Sequence, residues 1–280
     1  MQIPNINKRR IIELLREGKR LDGRKVFDYR DIIIETDVSN KAEGSARVRI
    51  GKTDVIVGVK LENQEPYSDH DDWGTMMVSM EFSPAAGERY ESGPPKINAI
   101  ETARVVDRGI RESGFIDWKK LCIKKGEKVW SILIDIYCIN DDGNTLDACF
   151  IGSVAALKMA KLPVYDKKEE KIEFGKLSKD YLPLTENVPF TMTFYKAGES
   201  IILDPNREEE DTAEARLTLS ISQPKKDKII NSMQKGGIIA ITADELDKII
   251  EEAEKIYDKL SPIIEKKIGE LVREKWIPKE

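Results

Sequence analysis

Apolar and polar positions change their spacing several times along the 280 residues, and each change marks an element. Ile11, Ile12, Leu14 and Leu15 predict a short helix over residues 8–17, closed by Gly18. A charged turn follows at residues 19–24. Partly alternating, β-branched runs then predict strands over 32–38, 46–50, 54–61 and 76–82, with a hairpin turn at 51–53. From residue 97 to 113 the period becomes helical: Ala99, Ala103, Val106 and Ile110 fall on one face. An apolar strand over 129–139 leads through Asp141-Asp142-Gly143-Asn144 into a second helix over 146–161. Shorter strands are predicted near residue 173 and over 191–195, 201–203, 217–221 and 238–241. The last element is a long helix opened by a capping box between Thr242 and Glu245. Its stripe runs from Leu246 through Ile249, Ala253 and Ile256 to Leu260, and Pro262 is expected to kink or restart it.

The pattern predicts an α+β chain forming one body over 1–280. Residues 1–25 supply an N-terminal helix and turn, 26–240 the core and 242–276 the C-terminal helix. Hydrophobic residues at 40% support a packed globule, and charged residues at 35% exceed the usual quarter. A net charge of −5 advertises no global affinity for nucleic acid, so any such contact needs a local basic patch. Cys122, Cys138 and Cys149 lack metal-ligand or disulfide spacing and read as buried, reduced thiols. No apolar run is long enough to span a membrane, and the expectation is a soluble cytoplasmic protein without metal or cofactor. The only histidine, His70, sits among Asp69, Asp71 and Asp72 in what reads as a solvated loop. Residues 208–211, Glu-Glu-Glu-Asp, read as a solvated acidic turn rather than a magnesium site.

Four stretches carry a resemblance. Residues 20–24 read Arg-Leu-Asp-Gly-Arg, and 42–46 read Ala-Glu-Gly-Ser-Ala. Residues 98–108 run from Asn98 to Arg108 through Glu101 and Arg104, and 204–216 run from Asp204 to Arg216. In that order they resemble the RNase PH family, whose active members shorten RNA from its 3′ end with inorganic phosphate. Within the family the similarity, over roughly residues 8 to 270, is to the larger ring subunit of the archaeal exosome. The resemblance implies two β-α-β-α halves related to the second domain of ribosomal protein S5. It also implies a hexameric ring, a trimer of heterodimers with a catalytic RNase PH-like partner, RNA-binding cap subunits, and single-stranded RNA in the pore.

Three positions depart from the active pattern. Active members resemble Gly-Gly-Thr-Arg-Ser/Thr where this chain has Gly143-Asn144-Thr145-Leu146-Asp147. Leu146 removes the cation and Asp147 places a carboxylate at the helix start. Two like charges ~4 Å apart repel by ~4 kcal/mol at an effective dielectric of ~20, roughly a thousandfold in phosphate affinity. Arg216 stands where active members carry an aspartate, and its guanidinium neither relays a proton nor holds a metal. A buried Glu214–Arg216 pair is expected there. Pro94-Pro95-Lys96-Ile97-Asn98 replaces a pair of arginines before the first long helix.

These departures predict a chain without nuclease activity of its own. The alternative is a divergent phosphate-dependent exoribonuclease that recruits Glu214 or the Asp141/Asp142 pair. Arg104, Arg108 and Arg111 form an i, i+4, i+7 stripe on the first long helix, with Glu101 and Glu112 in reach. On charge pattern alone this is a salt-bridged exposed face. The resemblance instead assigns the three arginines to RNA phosphates entering the partner's site.

Overall fold

The computed structural model describes residues 5–166 and 169–274. After helix α1 (Asn5–Arg16) the chain builds β1 (Ile32–Thr36), β2 (Gly44–Ile50), β3 (Thr53–Gln64) and β4 (Thr75–Phe82). Helix α2 (Ile97–Arg111) and the short β5 (Cys122–Lys124) precede β6 (Lys128–Asn140), and α3 (Thr145–Met159) completes the first half. These strands form one sheet ordered β1-β2-β3-β6-β4, with β5 added on β6. β4 and β6 are parallel, so α2 is the crossover between them. A two-stranded hairpin follows, β7 (Lys161–Asp166) and β8 (Lys171–Tyr181).

The second half repeats the plan with β9 (Phe190–Ala197), β10 (Ser200–Leu203), α4 (Arg207–Thr212), β11 (Ala215–Ser222), β12 (Ile229–Gly237) and α5 (Ala243–Glu274). Its sheet runs β10-β9-β11-β12. Each half thus reads β-α-β-α, as expected, and one cluster of buried apolar side chains runs through both. Nearly every residue of α3 is buried, because the helix lies on β2 and β3 and also meets α2 and β9. The α2–α3 crossing is close enough that a methyl group on Gly109 would stand 2.5 Å from the Phe150 ring.

Three sequence expectations change. The strand placed over 238–241 is instead β12 at Ile229–Gly237, while 238–241 form the turn into α5. Its apolar residues mark a turn because Gly236-Gly237 ends the ladder, Gly237 having φ 85°. Pro262 neither ends nor restarts α5, which runs unbroken through it. Proline removes one backbone donor, but Ile256 and Tyr257 before it and Ile264 and Ile268 after it are buried and hold both segments on the core. The acidic run 208–211 lies in helix α4 rather than a solvated turn. Glu209 and Asn206 form its capping box, and Glu209 is 1% exposed. The expected end of α5 at 276 lies outside the described residues.

Candidate functional site

The N-terminal end of α3 is where the two halves meet. Gly143, at φ 85°, brings the loop so close to residues 205–207 that an added Cβ would lie 2.6 Å from the Asn206 carbonyl carbon. The backbone amide of Gly143 donates to Asp141 at 3.2 Å, and that of Asn144 donates to the Glu210 carboxylate at 2.7 Å. Asp141 also accepts from the Thr145 hydroxyl at 2.8 Å and from the Tyr90 phenol. Arg207 joins these acids, 2.9 Å from Asp141, 3.3 Å from Glu210 and 2.5 Å from Asp211, and Arg89 meets Asp211 at 2.7 Å. Burial pushes the Glu210 carboxyl up, against the pull of Arg207. Burial would raise Asp141 as well, but Arg207, Tyr90 and Thr145 bring it below its usual value. A loop that could offer amides to an outside anion gives these two to the protein's own carboxylates.

Asp147 faces inward. Its carboxylate accepts from Tyr29 at 2.7 Å, the Asn144 amide group at 2.9 Å, the Thr193 hydroxyl at 2.8 Å and the Thr193 backbone at 3.2 Å. Burial lifts its pKa to about 6 despite these donors. Leu146 beside it is buried. The carboxylate that meets the backbone amide of Asn144 is therefore that of Glu210, 66 positions along, rather than that of Asp147.

Arg216, on β11, makes an ion pair of 2.5 Å with Glu101 of α2. Glu101 also accepts from Gln234 of β12 at 3.0 Å. The expected Glu214–Arg216 pair does not form, because Glu214 lies one residue before β11 begins and is exposed. This contact also takes Glu101 away from Arg104.

The three arginines of α2 then divide. Arg111 pairs with Asp107 at 2.6 Å, donates to the Met76 carbonyl at 2.9 Å and stacks over Trp118. Arg108 is exposed and has only a loose contact of 3.6 Å with Glu112. Arg104 is exposed and has no ion pair or hydrogen bond among the described residues. Arg104 and Arg108 line a groove of about 520 Å³ whose opposite wall is β12, with Asn231, Ser232 and Gln234 facing it. Asn231 was not singled out from the sequence. Its Nδ2 is buried without an acceptor, while its Oδ1 accepts from the Ser222 hydroxyl at 3.1 Å. The groove thus brings the unpaired Arg104 and the loosely paired Arg108 beside an amide with a spare donor, with Glu112 also on its wall. The displaced strand prediction hid this wall.

Two models of the 3′ exoribonuclease family match the chain, domain 1 over residues 28–163 and domain 2 over 187–256. The chain belongs to the RNase PH family. Among curated relatives of this RNase PH-family chain is the exosome complex component Rrp42 of Methanocella arvoryzae. It is 43% identical over 265 residues, covering 93% of this chain and 98% of the relative. The Rrp42 of Thermococcus kodakarensis is 45% identical over 260 residues, with coverages of 92% and 94%. A chain from the Archaeoglobus fulgidus exosome, solved with RNA bound to the active site, superposes with a TM-score of 0.81 at 38% identity. The match covers 91% of this chain and 98% of that one. A chain of an archaeal exosome core gives a TM-score of 0.80 at 36% identity, covering 93% and 97%.

The same RNase PH-family chain has no group of three or more histidine, cysteine or acidic side chains placed to hold a metal among the described residues. His70 stacks on Trp73 in an exposed loop. The three cysteines are free. No described helix is long and apolar enough to cross a membrane.

Proposed function

We propose that this chain is a non-catalytic ring subunit of an archaeal exosome that binds single-stranded RNA for a catalytic RNase PH-like partner. The names and the RNA-bound state of its relatives support the assembly. The observation that carries the division of labour is the contrast between two sets of charges. Around α3, Arg207 pairs with Asp141 and Glu210 takes the Asn144 amide, while Arg216 is paired with Glu101, so these charges are engaged inside the chain. Arg104 is unpaired among the described residues and Arg108 only loosely paired with Glu112, and the two share an open groove. In this reading the chain alternates with its partner in a trimer of heterodimers, carries RNA-binding caps and works in the cytoplasm. The whole of 1–280 acts as one body.

Cations in such a groove hold a strand by its phosphates without reading its bases. Arg111 contributes by holding α2 against the Met76 carbonyl of β4 and Trp118, and touches RNA less than its two neighbours. The divergent-enzyme alternative has little to draw on, since Asp141 and Asp142 face Arg207 and Arg30, and Glu214 lies outside the strand.

The test uses the ring reconstituted with a catalytic partner. Replacing Arg104 and Arg108 by Ala is expected to weaken single-stranded RNA binding at least tenfold. Losing two phosphate contacts should also flatten the slope of log affinity against log salt by about 1.4. Unchanged binding and degradation with an intact ring would remove the role given to these arginines. In parallel, the purified chain with 5′-labelled RNA, Mg²⁺ and phosphate is expected to release no nucleoside diphosphate. Robust release that vanished on Glu214→Ala would make it an enzyme.

A further inference from the structure

Between the segment 24–32 and helix α5 lies a second cleft, of about 570 Å³, on elements that the groove of Arg104 and Arg108 does not use. Its size falls within the ~300–1,000 Å³ usual for small-molecule sites. Its floor is apolar, with Phe27, Ile256, Leu260 and Ile264, and its rim is charged. The cations on that rim are Arg24, Arg30, Lys255, Lys259 and Lys267, against the carboxylates of Asp28, Asp31 and Glu252. An excess of positive groups stands out in a chain whose net charge is −5.

These cations differ in how far they are committed. Arg30 is consumed by Asp204, Asp142 and the Gly143 carbonyl. Lys255 pairs with Glu252 at 2.7 Å, and Lys267 donates to the Ile32 carbonyl at 2.8 Å. Lys259 has no ion pair or hydrogen bond among the described residues. Arg24 uses Nε on Asp22 and Nη1 on Asp28 and Asp204, but its Nη2 is buried with no acceptor. A guanidinium edge without a partner is a costly thing to bury, and an oxyanion is the group that relieves it. Lys255, Lys259 and Lys267 sit along α5 with Ile256, Leu260 and Ile264 interleaved, so cationic and apolar positions are presented together.

We infer that this cleft binds a small phosphorylated ligand of mononucleotide class. Its phosphate lies against Lys259 at the Arg24 edge of the cleft, and its aromatic or apolar body lies over Phe27 and the isoleucines of α5. Lys259 beside the Arg24 edge suits a multiply charged phosphate better than a single carboxylate, and an apolar floor is wasted on a bare inorganic ion. The site is independent of the RNA-binding role proposed above.

Calorimetric titration of the full chain tests this with three probes: ADP, adenosine and inorganic phosphate. ADP is expected to bind at least tenfold more tightly than either of the others. Lys259→Glu is expected to weaken ADP at least tenfold while leaving the melting temperature nearly unchanged, since Lys259 holds nothing in the fold. Arg104→Ala with Arg108→Ala is expected to leave ADP binding as it was. Ile263→Glu, also on the cleft wall and 46% exposed, is a second variant that should weaken ADP without unfolding the chain. Absence of ADP binding at millimolar concentration overturns the inference. So does phosphate binding as tightly as ADP, or ADP affinity that follows Arg104 and Arg108 instead of Lys259.

Discussion

Arg216 stands where the resemblance to active members leads one to expect an acid, yet its surroundings are set by Glu101, 115 positions earlier. Reverting that one residue therefore restores little. Arg216→Asp would put two carboxylates together across α2 and β11, with the α3 loop still giving amides to Asp141 and Glu210. The variant is expected to show no phosphate-dependent release of nucleoside diphosphates, and measurable release would contradict this. Arg216→Ala is expected to cost about 1 kcal/mol or less in denaturant unfolding, because the pair is partly exposed. Asp147 makes a sharper prediction. Its folded pKa of about 6 lies above the ordinary carboxyl value of 3.8, so the folded state binds its proton more tightly. Its contribution to stability is complete below pH 3.8 and is lost as pH rises through about 6. The stability gap between the parent and Asp147→Asn should shift by about 2–3 kcal/mol across that window, and a constant gap would show that Asp147 is not held this way. The identities of Leu146, Asp147 and Arg216 were legible in the sequence. Their partners were not, because Glu101, Glu210 and Thr193 are brought in by tertiary packing that local spacing does not encode.

At the scale of elements, period and caps read well where burial is one-sided. The α2 face of Ala99, Ala103, Val106 and Ile110 is buried as its spacing requires, and Thr242 and Glu245 exchange both capping hydrogen bonds, at 2.8 and 3.3 Å. Thr242→Ala should cost about 1 kcal/mol, read as a lower midpoint with an unchanged denaturant slope. The pattern misled at β12, an edge strand whose residues are mostly exposed and carry no clean alternation. It misled again at α4, where four acids in a row look solvated but three of them meet arginines. Packing of α2 on α3 was also invisible, since nothing local marks Gly109 as a crossing point. Gly109→Ala should destabilise by about 1–3 kcal/mol by forcing Phe150 and Ser220 aside, and an unaffected melting temperature would deny the close approach.

Over the whole molecule, the charged segment at the beginning ties the two halves together alongside their shared apolar core. Arg20 is buried against Glu209 and donates to the carbonyls of Leu203 and Asp204 at 2.9 and 2.8 Å. Arg24 and Arg30 both grip Asp204, whose carboxyl burial would raise but Arg30 holds below its usual range. Removing one member of a buried pair leaves the other uncompensated, so Arg20→Ala should cost about 3–5 kcal/mol. Arg20→Met with Glu209→Leu should cost clearly less, and equal losses for the two variants would argue against an uncompensated charge. The same clasp constrains the order of events during synthesis. Arg20 leaves the ribosome 189 residues ahead of Glu209, a delay on the order of 10–40 s at ordinary elongation rates. For that interval the amino-terminal arm has a guanidinium and no socket. The nascent chain closes only when α4 emerges, so any factor that must act on the open form works within that wait.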